Sequence, residues 1–302
     1  MMHTERKKAV LAALTANFCI AVFKFIVALL TRSSSMLAES YHSASDTMNQ
    51  VLLLYGLKRS RRLADEHHPF GHGKEQFFWS FVVAILLFGI AGVFSVREGI
   101  HKFFHPEPIS NFVWNYLAIG FALVFETFAF RIAIKKLTEE MKTERYKNLF
   151  EAVKHSKDPT TLTVLFEDSL AIGGLLVAAI GISLVHITGI IIIDAVTSAI
   201  IGLLLMTFAA YLGFETKKML VGEAISPFKK RRILEAVRSF PQVVSIISMK
   251  SMHLSAEDVL ITLEINYRDD LTMCDLEDLN HQIEKKILGI IPKANIYLEP
   301  HE

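Results

Sequence analysis

The sequence predicts an all-α membrane bundle of six helices followed by a small C-terminal α/β domain. Three observations predict it: long apolar runs fill the chain up to about residue 215, charged residues are denser after it, and the last stretch of about 80 residues reads helix–strand–strand–helix–strand. At 52% hydrophobic residues the total decides little, since soluble proteins hold about 45–50%. The distribution decides, and it places a transmembrane domain over 1–215 and a cytoplasmic domain over 216–302.

Six segments meet the length of roughly 20 residues needed to cross a bilayer: Val10–Leu30, Met36–Leu57, Phe77–Val96, Phe112–Ile134, Thr160–Val185 and Ile190–Phe214. The first follows Arg6, Lys7 and Lys8, is too long for a signal-peptide apolar region and has no A-x-A-like cleavage site after it, so it reads as a retained helix. Lys and Arg are dense before helix 1, after helix 2 (Lys58, Arg59, Arg61, Arg62, Lys74) and between helices 4 and 5 (Lys135 to Lys157). The alternate loops hold only Arg32, then Arg97 and Lys102. Positive charge marks the cytoplasmic side, so both termini are expected inside, in a bacterial inner (plasma) membrane.

In the tail, Pro227–Phe240 is a basic amphipathic helix, while Val243–Met252 and Val259–Tyr267 are alternating, β-branched strands. Asp275–Leu288 is a helix with acids in its first turn and Lys285 and Lys286 in its last, which suits the helix dipole. Asn295–Leu298 is a final strand, and this order predicts helices on one face of a small sheet.

Helix 2 carries the chemistry. Glu39, His42, Asp46 and Asn49 recur at spacings of three and four and share one face. A histidine and an aspartate four apart on a helix can grip one metal ion from the side. Ionisable groups at mid-membrane depth cost about 2.5–3.5 kcal/mol each, so a functional role is the default. At 1.5 Å per residue Asp46 lies about 15 Å from the outer end of its helix and Asp168 about 12 Å from the inner end of helix 5, similar depths in a core of about 30 Å. Glu167 and Asp168 are adjacent and point about 100° apart, so both cannot face one point without rotation. Gly173 and Gly174 permit a close helix approach.

The loop after helix 2 holds a second constellation. Asp65, His68 and His72 are spaced three and four apart, an acceptable zinc set. Pro69, Gly71 and Gly73 break any helix there, so the loop must fold on itself to gather them. Among the other polar residues, Lys24 is expected to snorkel outward or to pair with Glu39, and Glu126 to pair with Arg131. Asp194 is expected either to serve its own helix N-terminus or to line the outer mouth. His155 is read as solvated in the polar connector of residues 146–160.

A net charge of +1 argues against a bulk polyanion, and nucleic acid is not an expected partner. The basic run Lys229–Arg232 suits lipid headgroups. Two cysteines, Cys19 and Cys274, imply no disulfide framework. No H-E-x-x-H motif is present, which argues against a metalloprotease, and the chain is read as no enzyme.

Taken together, His42–Asp46 (HSASD), His67–Gln76 (HHPFGHGKEQ) and Glu167–Ser169 (EDS), on this helix pattern, resemble the cation diffusion facilitator family over nearly the whole chain. Pro159–Asp168, Met252–Leu254 and Ile296–Pro300 look like the branch that includes the mitochondrial zinc exporter. The resemblance implies a homodimer in a lipid bilayer, a metallochaperone-like tail, and export of a divalent ion, zinc (Zn2+) first with Mn2+, Fe2+ or Co2+ as alternatives, in exchange for protons. It assigns the transport site to His42, Asp46 and Asp168, and a cytoplasmic site to Asp65, His68 and His72. The chain departs from the family at Val164, where most members place a ligand; Glu167, a water or another helix is left as the fourth. In the tail, Glu299 and His301 stand at end-strand positions, but Thr262 replaces an expected histidine, so weak or no metal binding is expected there. The rival of another class is a membrane metal sensor that binds ions without moving them.

Overall fold

A computed structural model describes residues 2–144 and 159–301. The expected polar connector with His155 lies outside them. In chain order, the first elements are the helices α1 (Met2–Thr31), α2 (Ser34–Ser60) and α3. The α3 helix is α-helical over Glu75–Leu86, π-helical over Leu87–Val93 and α-helical again over Phe94–Phe104. Then come α4 (Phe112–Glu144), α5 (Pro159–Thr188) and α6 (Ile192–Val221). The tail follows as α7 (Pro227–Arg238), β1 (Val243–His253), β2 (Val259–Tyr267), α8 (Met273–Leu288) and β3 (Ala294–His301).

Among the described residues, α3 to α6 are long and apolar enough to cross a membrane. The polar stripe dilutes the hydropathy of α2, and the apolar stretch described in α1 is Asn17–Thr31. The chain divides into two compact units, Met1–Val51 with Val83–Tyr211, and Leu52–Val82 with Leu212–Glu302.

The first unit is organised for an apolar solvent. Val27, Met36, Ala91, Ala122, Leu175 and Ile201 form its core, while Phe18, Leu29, Phe128, Ile180 and Leu203 stay exposed. Small residues set the closest helix approach. A Cβ on Gly202 would sit 2.8 Å from the Gly92 carbonyl oxygen, so α3 and α6 meet backbone to backbone. This contact lies within the π-helical turn of α3. The glycines expected to do this in α5 do not: Gly173 faces open space, and Gly174 makes room for a side chain described below.

Asp194 ties three helices together. Its carboxylate accepts from the backbone N–H of Ser34 (2.7 Å) and Ser35 (3.1 Å) and from the Ser33 hydroxyl (3.0 Å), and the Ser35 hydroxyl also donates to it. It therefore caps α2, not only the first turn of its own α6. Lys102 of α3 pairs with the same carboxylate at 2.7 Å and donates to the Arg32 carbonyl. Both ion-pair partners are buried, so Lys102 is no loop cation. Glu126 and Arg131 form no ion pair among the described residues; Glu126 is instead an electrostatic neighbour of Lys24, His42 and Glu39.

In the second unit β1 pairs antiparallel with β2, and β2 parallel with β3, in the order β1-β2-β3. Val259, Ile261, Leu263 and Ile265 alternate on the buried face of β2, against Ile233 and Val237 of α7 and Leu279, Ile283 and Ile287 of α8. The helix expected from Asp275 starts two residues earlier, because Thr272 forms a capping box with Asp275.

Two stability predictions follow from these caps. Asp194→Ala leaves Lys102 buried without its counter-ion and is expected to cost about 3–5 kcal/mol, read as lower thermal stability in detergent. Thr272→Ala is expected to cost about 1 kcal/mol. The Thr272 hydroxyl and N–H hold the Asp275 carboxyl below its usual range. That contribution is present above the ordinary carboxylate pKa and lost as pH falls through the lowered one, so the difference between the two chains should shrink in acid.

Candidate metal sites

The polar stripe of α2 faces α5. Asn49 donates to Glu167 at 2.7 Å, and the Glu39 carboxylate lies against Gly174, where a Cβ would come within 2.5 Å of Oε1. Chain direction reverses between these two contacts, so the helices run antiparallel. Interpolating between them puts Asp46 level with Ser169, beside Asp168. The carboxyls of Asp46 and Glu167 lie against each other.

His42 is 2% exposed, and its Nδ1 lies 3.5 Å from Asp46 Oδ1. Neither ring nitrogen of His42 makes a hydrogen bond, and Asp168 Oδ2 and Glu39 Oε1 are also buried and unpartnered. Buried polar atoms are nearly always paired, so the unpaired ligand-type atoms on this helix pair make it a candidate site for an ion or for protons. Glu167 is turned to Asn49, as expected for a residue about 100° round the helix from Asp168. The ligand atoms of His42, Asp46 and Asp168 are not drawn together within 4.8 Å as those of the loop are.

The loop does gather its residues. Asp65, His68 and His72 bring one ligand atom each to within 4.8 Å of one another. The Asp65 and His68 backbones bond reciprocally at 3.2 and 3.1 Å, and the Gly71 N–H donates to the His68 carbonyl at 2.9 Å. Gly71 takes φ +79°, which a side chain would disfavour. Asp65 then reaches both rings, Oδ1 to His68 Nδ1 at 3.2 Å and Oδ2 to His72 Nε2 at 3.3 Å. Partial desolvation raises the Asp65 carboxyl, but the His68 N–H, the His68 ring and the His67 N–H outweigh it and hold the group below the usual carboxylate range. His72 is buried with Nδ1 unpartnered. The loop is pressed onto the β1–β2 turn: a Cβ on Gly73 would meet the Leu254 carbonyl oxygen at 2.5 Å, and Lys74 donates to the Leu220 carbonyl at 3.3 Å.

In the tail, Thr262 stands opposite Tyr297 in the parallel ladder, and His301 pairs with Glu264 at 2.8 Å. The Glu264 partner is a residue that sequence reasoning did not single out. Lys102 was likewise missed, and the signal that could have found it is Asp194, a membrane acid in need of a counter-charge.

Membrane-length helices with a buried imidazole and buried carboxylates between them, joined to a small α/β unit, define a polytopic membrane protein with ionisable groups in its interior. The family profile described as the cation efflux transmembrane domain matches residues 10–221, and the chain belongs to that family, an integral membrane family of cation transporters. It resembles the branch of mitochondrial zinc antiporters. The proton-coupled zinc antiporter SLC30A9, mitochondrial, of Xenopus laevis is 32% identical over 262 residues, covering 86% of this chain and 46% of that protein. Metal tolerance protein C4 of Arabidopsis thaliana is 30% identical over 271 residues, covering 90% and 59%. The cation-efflux pump FieF of Yersinia pestis (strain Pestoides F) is 23% identical over 292 residues, covering 97% and 91%. The chain spans about half the length of the SLC30A9 proteins it matches. A nickel form of the MamM C-terminal domain matches 25% of this chain at 17% identity and a TM-score of 0.24, too slight a likeness to bear on the fold.

Asp65→Asn removes the carboxylate that both anchors the loop turn and faces the two rings. Protein purified with zinc and dialysed should then carry one ion fewer per chain by elemental analysis. An unchanged stoichiometry would exclude the loop as a site.

Proposed function

We propose that this chain exports divalent metal, zinc first, from the cytoplasm in exchange for protons, and that His42, Asp46 and Asp168 carry the ion, with Glu167 in reach as a fourth ligand. The observation that carries the reading is His42, buried with neither ring nitrogen hydrogen-bonded and 3.5 Å from Asp46, with Asp168 Oδ2 also buried and unpartnered. The family supplies the class of reaction, and the zinc antiporters among the relatives supply the first choice of ion.

The chemistry is competition for the same electron pairs. A metal ion needs ionised carboxylates and a neutral imidazole, so its binding releases protons. On the far side of the membrane protons return to those atoms and evict the ion. Histidine's reference pKa of about 6.5 puts this exchange within reach of ordinary pH differences. One imidazole among three carboxylates is a harder ligand set than an all-nitrogen one, which favours tolerance of manganese or iron beside zinc.

In this reading all six long helices cross the membrane, both ends of the chain lie in the cytoplasm of a bacterial inner membrane, and residues 216–302 form a dimerising domain. Asp65, His68 and His72 bind the same ion on the cytoplasmic side.

Proteoliposomes with a pH-sensitive dye test this. Zinc added to one side should drive proton movement in the wild type, and manganese and cobalt should compete. Asp46→Ala or Asp168→Ala should abolish the flux while the protein stays monodisperse. Wild-type flux in either variant would sink the site assignment, and metal binding without any proton movement would favour the sensor reading.

A further inference from the structure

Three observations meet at Glu39, one helical turn along α2 from His42 on the side away from Asp46. First, its carboxylate is wholly buried, and only one of its oxygens is used. Oε2 accepts from Lys24 of α1 at 3.1 Å, while Oε1 has no partner. Second, Lys24 is fixed by a further bond to Ser43 at 2.8 Å and is 1% exposed, so it holds the carboxylate in one orientation. Third, Oε1 points at the place where α5 has Gly174, and any side chain there would collide with it at 2.5 Å. Gly174 thus provides the room that the free carboxylate oxygen occupies.

An ion pair alone accounts for only half of this. A glutamate present just to neutralise Lys24 has no need to leave its second oxygen without a protein partner, a state that costs about 1–3 kcal/mol for a buried polar atom. His42, three residues on, has two ring nitrogens without hydrogen bonds, and one imidazole can serve ligands on either side of it in turn.

We propose that Glu39 is a further metal-binding residue, forming with His42 a second, outer station for a divalent transition cation that overlaps the His42–Asp46 station. Lys24 is its positioning residue. This rests on the transport reading above. The ammonium group has two effects. It orients the carboxylate, and it half-neutralises it, so that the outer station holds the ion weakly and lets it go. Lys24 is also an electrostatic neighbour of His42, Asp46 and Glu126, so its charge opposes the ion at each of them and favours onward movement.

The test uses the full chain in zinc-loaded proteoliposomes, with flux measured against zinc concentration. Glu39→Gln is expected to lower the maximal rate about tenfold or more while KM stays within about threefold, since the entry station is intact. Glu39→Asp should recover part of the rate. The double variant K24M/E39Q removes both charges and guards against a misfolded single variant; it is expected to remain slow, because the ligand is still missing. A wild-type maximal rate in K24M/E39Q would show that Glu39 only neutralises Lys24 and would overturn the proposal, as would a wild-type rate in E39Q. Asp46→Asn, run beside them, should carry no flux. Flux in that control overturns the transport reading itself, whatever the Glu39 variants do.

Discussion

An ionisable group among apolar helices must meet a partner, and most of the first unit can be read from how each one does so. Asp194 meets three serines and Lys102; Lys24 meets Glu39 and Ser43; Asn49 meets Glu167. These bonds join α1, α2, α3, α5 and α6 at chosen points. In a bilayer the apolar surfaces have no reason to prefer one another over lipid, so packing detail and polar contacts fix the arrangement. The exceptions include the residues of the proposed site. His42, one oxygen of Asp168 and one oxygen of Glu39 are left unpaired, as are the Ser45 hydroxyl and the Asn49 amide oxygen on the same face of α2.

The two candidate metal sites illustrate different ways of holding ligands. The loop site is local: its three residues lie within eight positions, and a turn closed by backbone bonds and by Gly71 brings their atoms together. The membrane site is distributed over two helices whose register is set elsewhere, by Asn49–Glu167 at one end and by Glu39 against Gly174 at the other. A site of the first kind is a compact chelate. A site of the second kind changes whenever two helices slide or tilt, which suits the carrier role proposed for it.

How much of this was legible in the sequence depended on range. The pairing of His42 with Asp46, the loop triad and the α-β-β-α-β order are consequences of helical periodicity and local spacing; of the two fates expected for Lys24, the salt bridge with Glu39 is the one found, and its 1% exposure rules out snorkelling. The partners of Asp194 were not legible, because Ser34 and Lys102 lie 160 and 92 residues away from it. Gly174 was misread for a related reason. A glycine pair in an apolar helix signals close approach, but whether a backbone or a carboxylate fills the gap depends on the neighbouring helix. Glu126 was paired with Arg131 on sequence nearness, whereas its electrostatic neighbours come from α1 and α2.

The amino-acid sequence by itself determined which segments are helices, which faces of them are polar, and which residue types stand ready to bind a cation, because periodicity and solvent preference act residue by residue. The tertiary structure alone decided which polar atoms found partners and which stayed free. That outcome depends on helix register and on room left by small side chains across an interface, and neither is written into any single stretch of the chain.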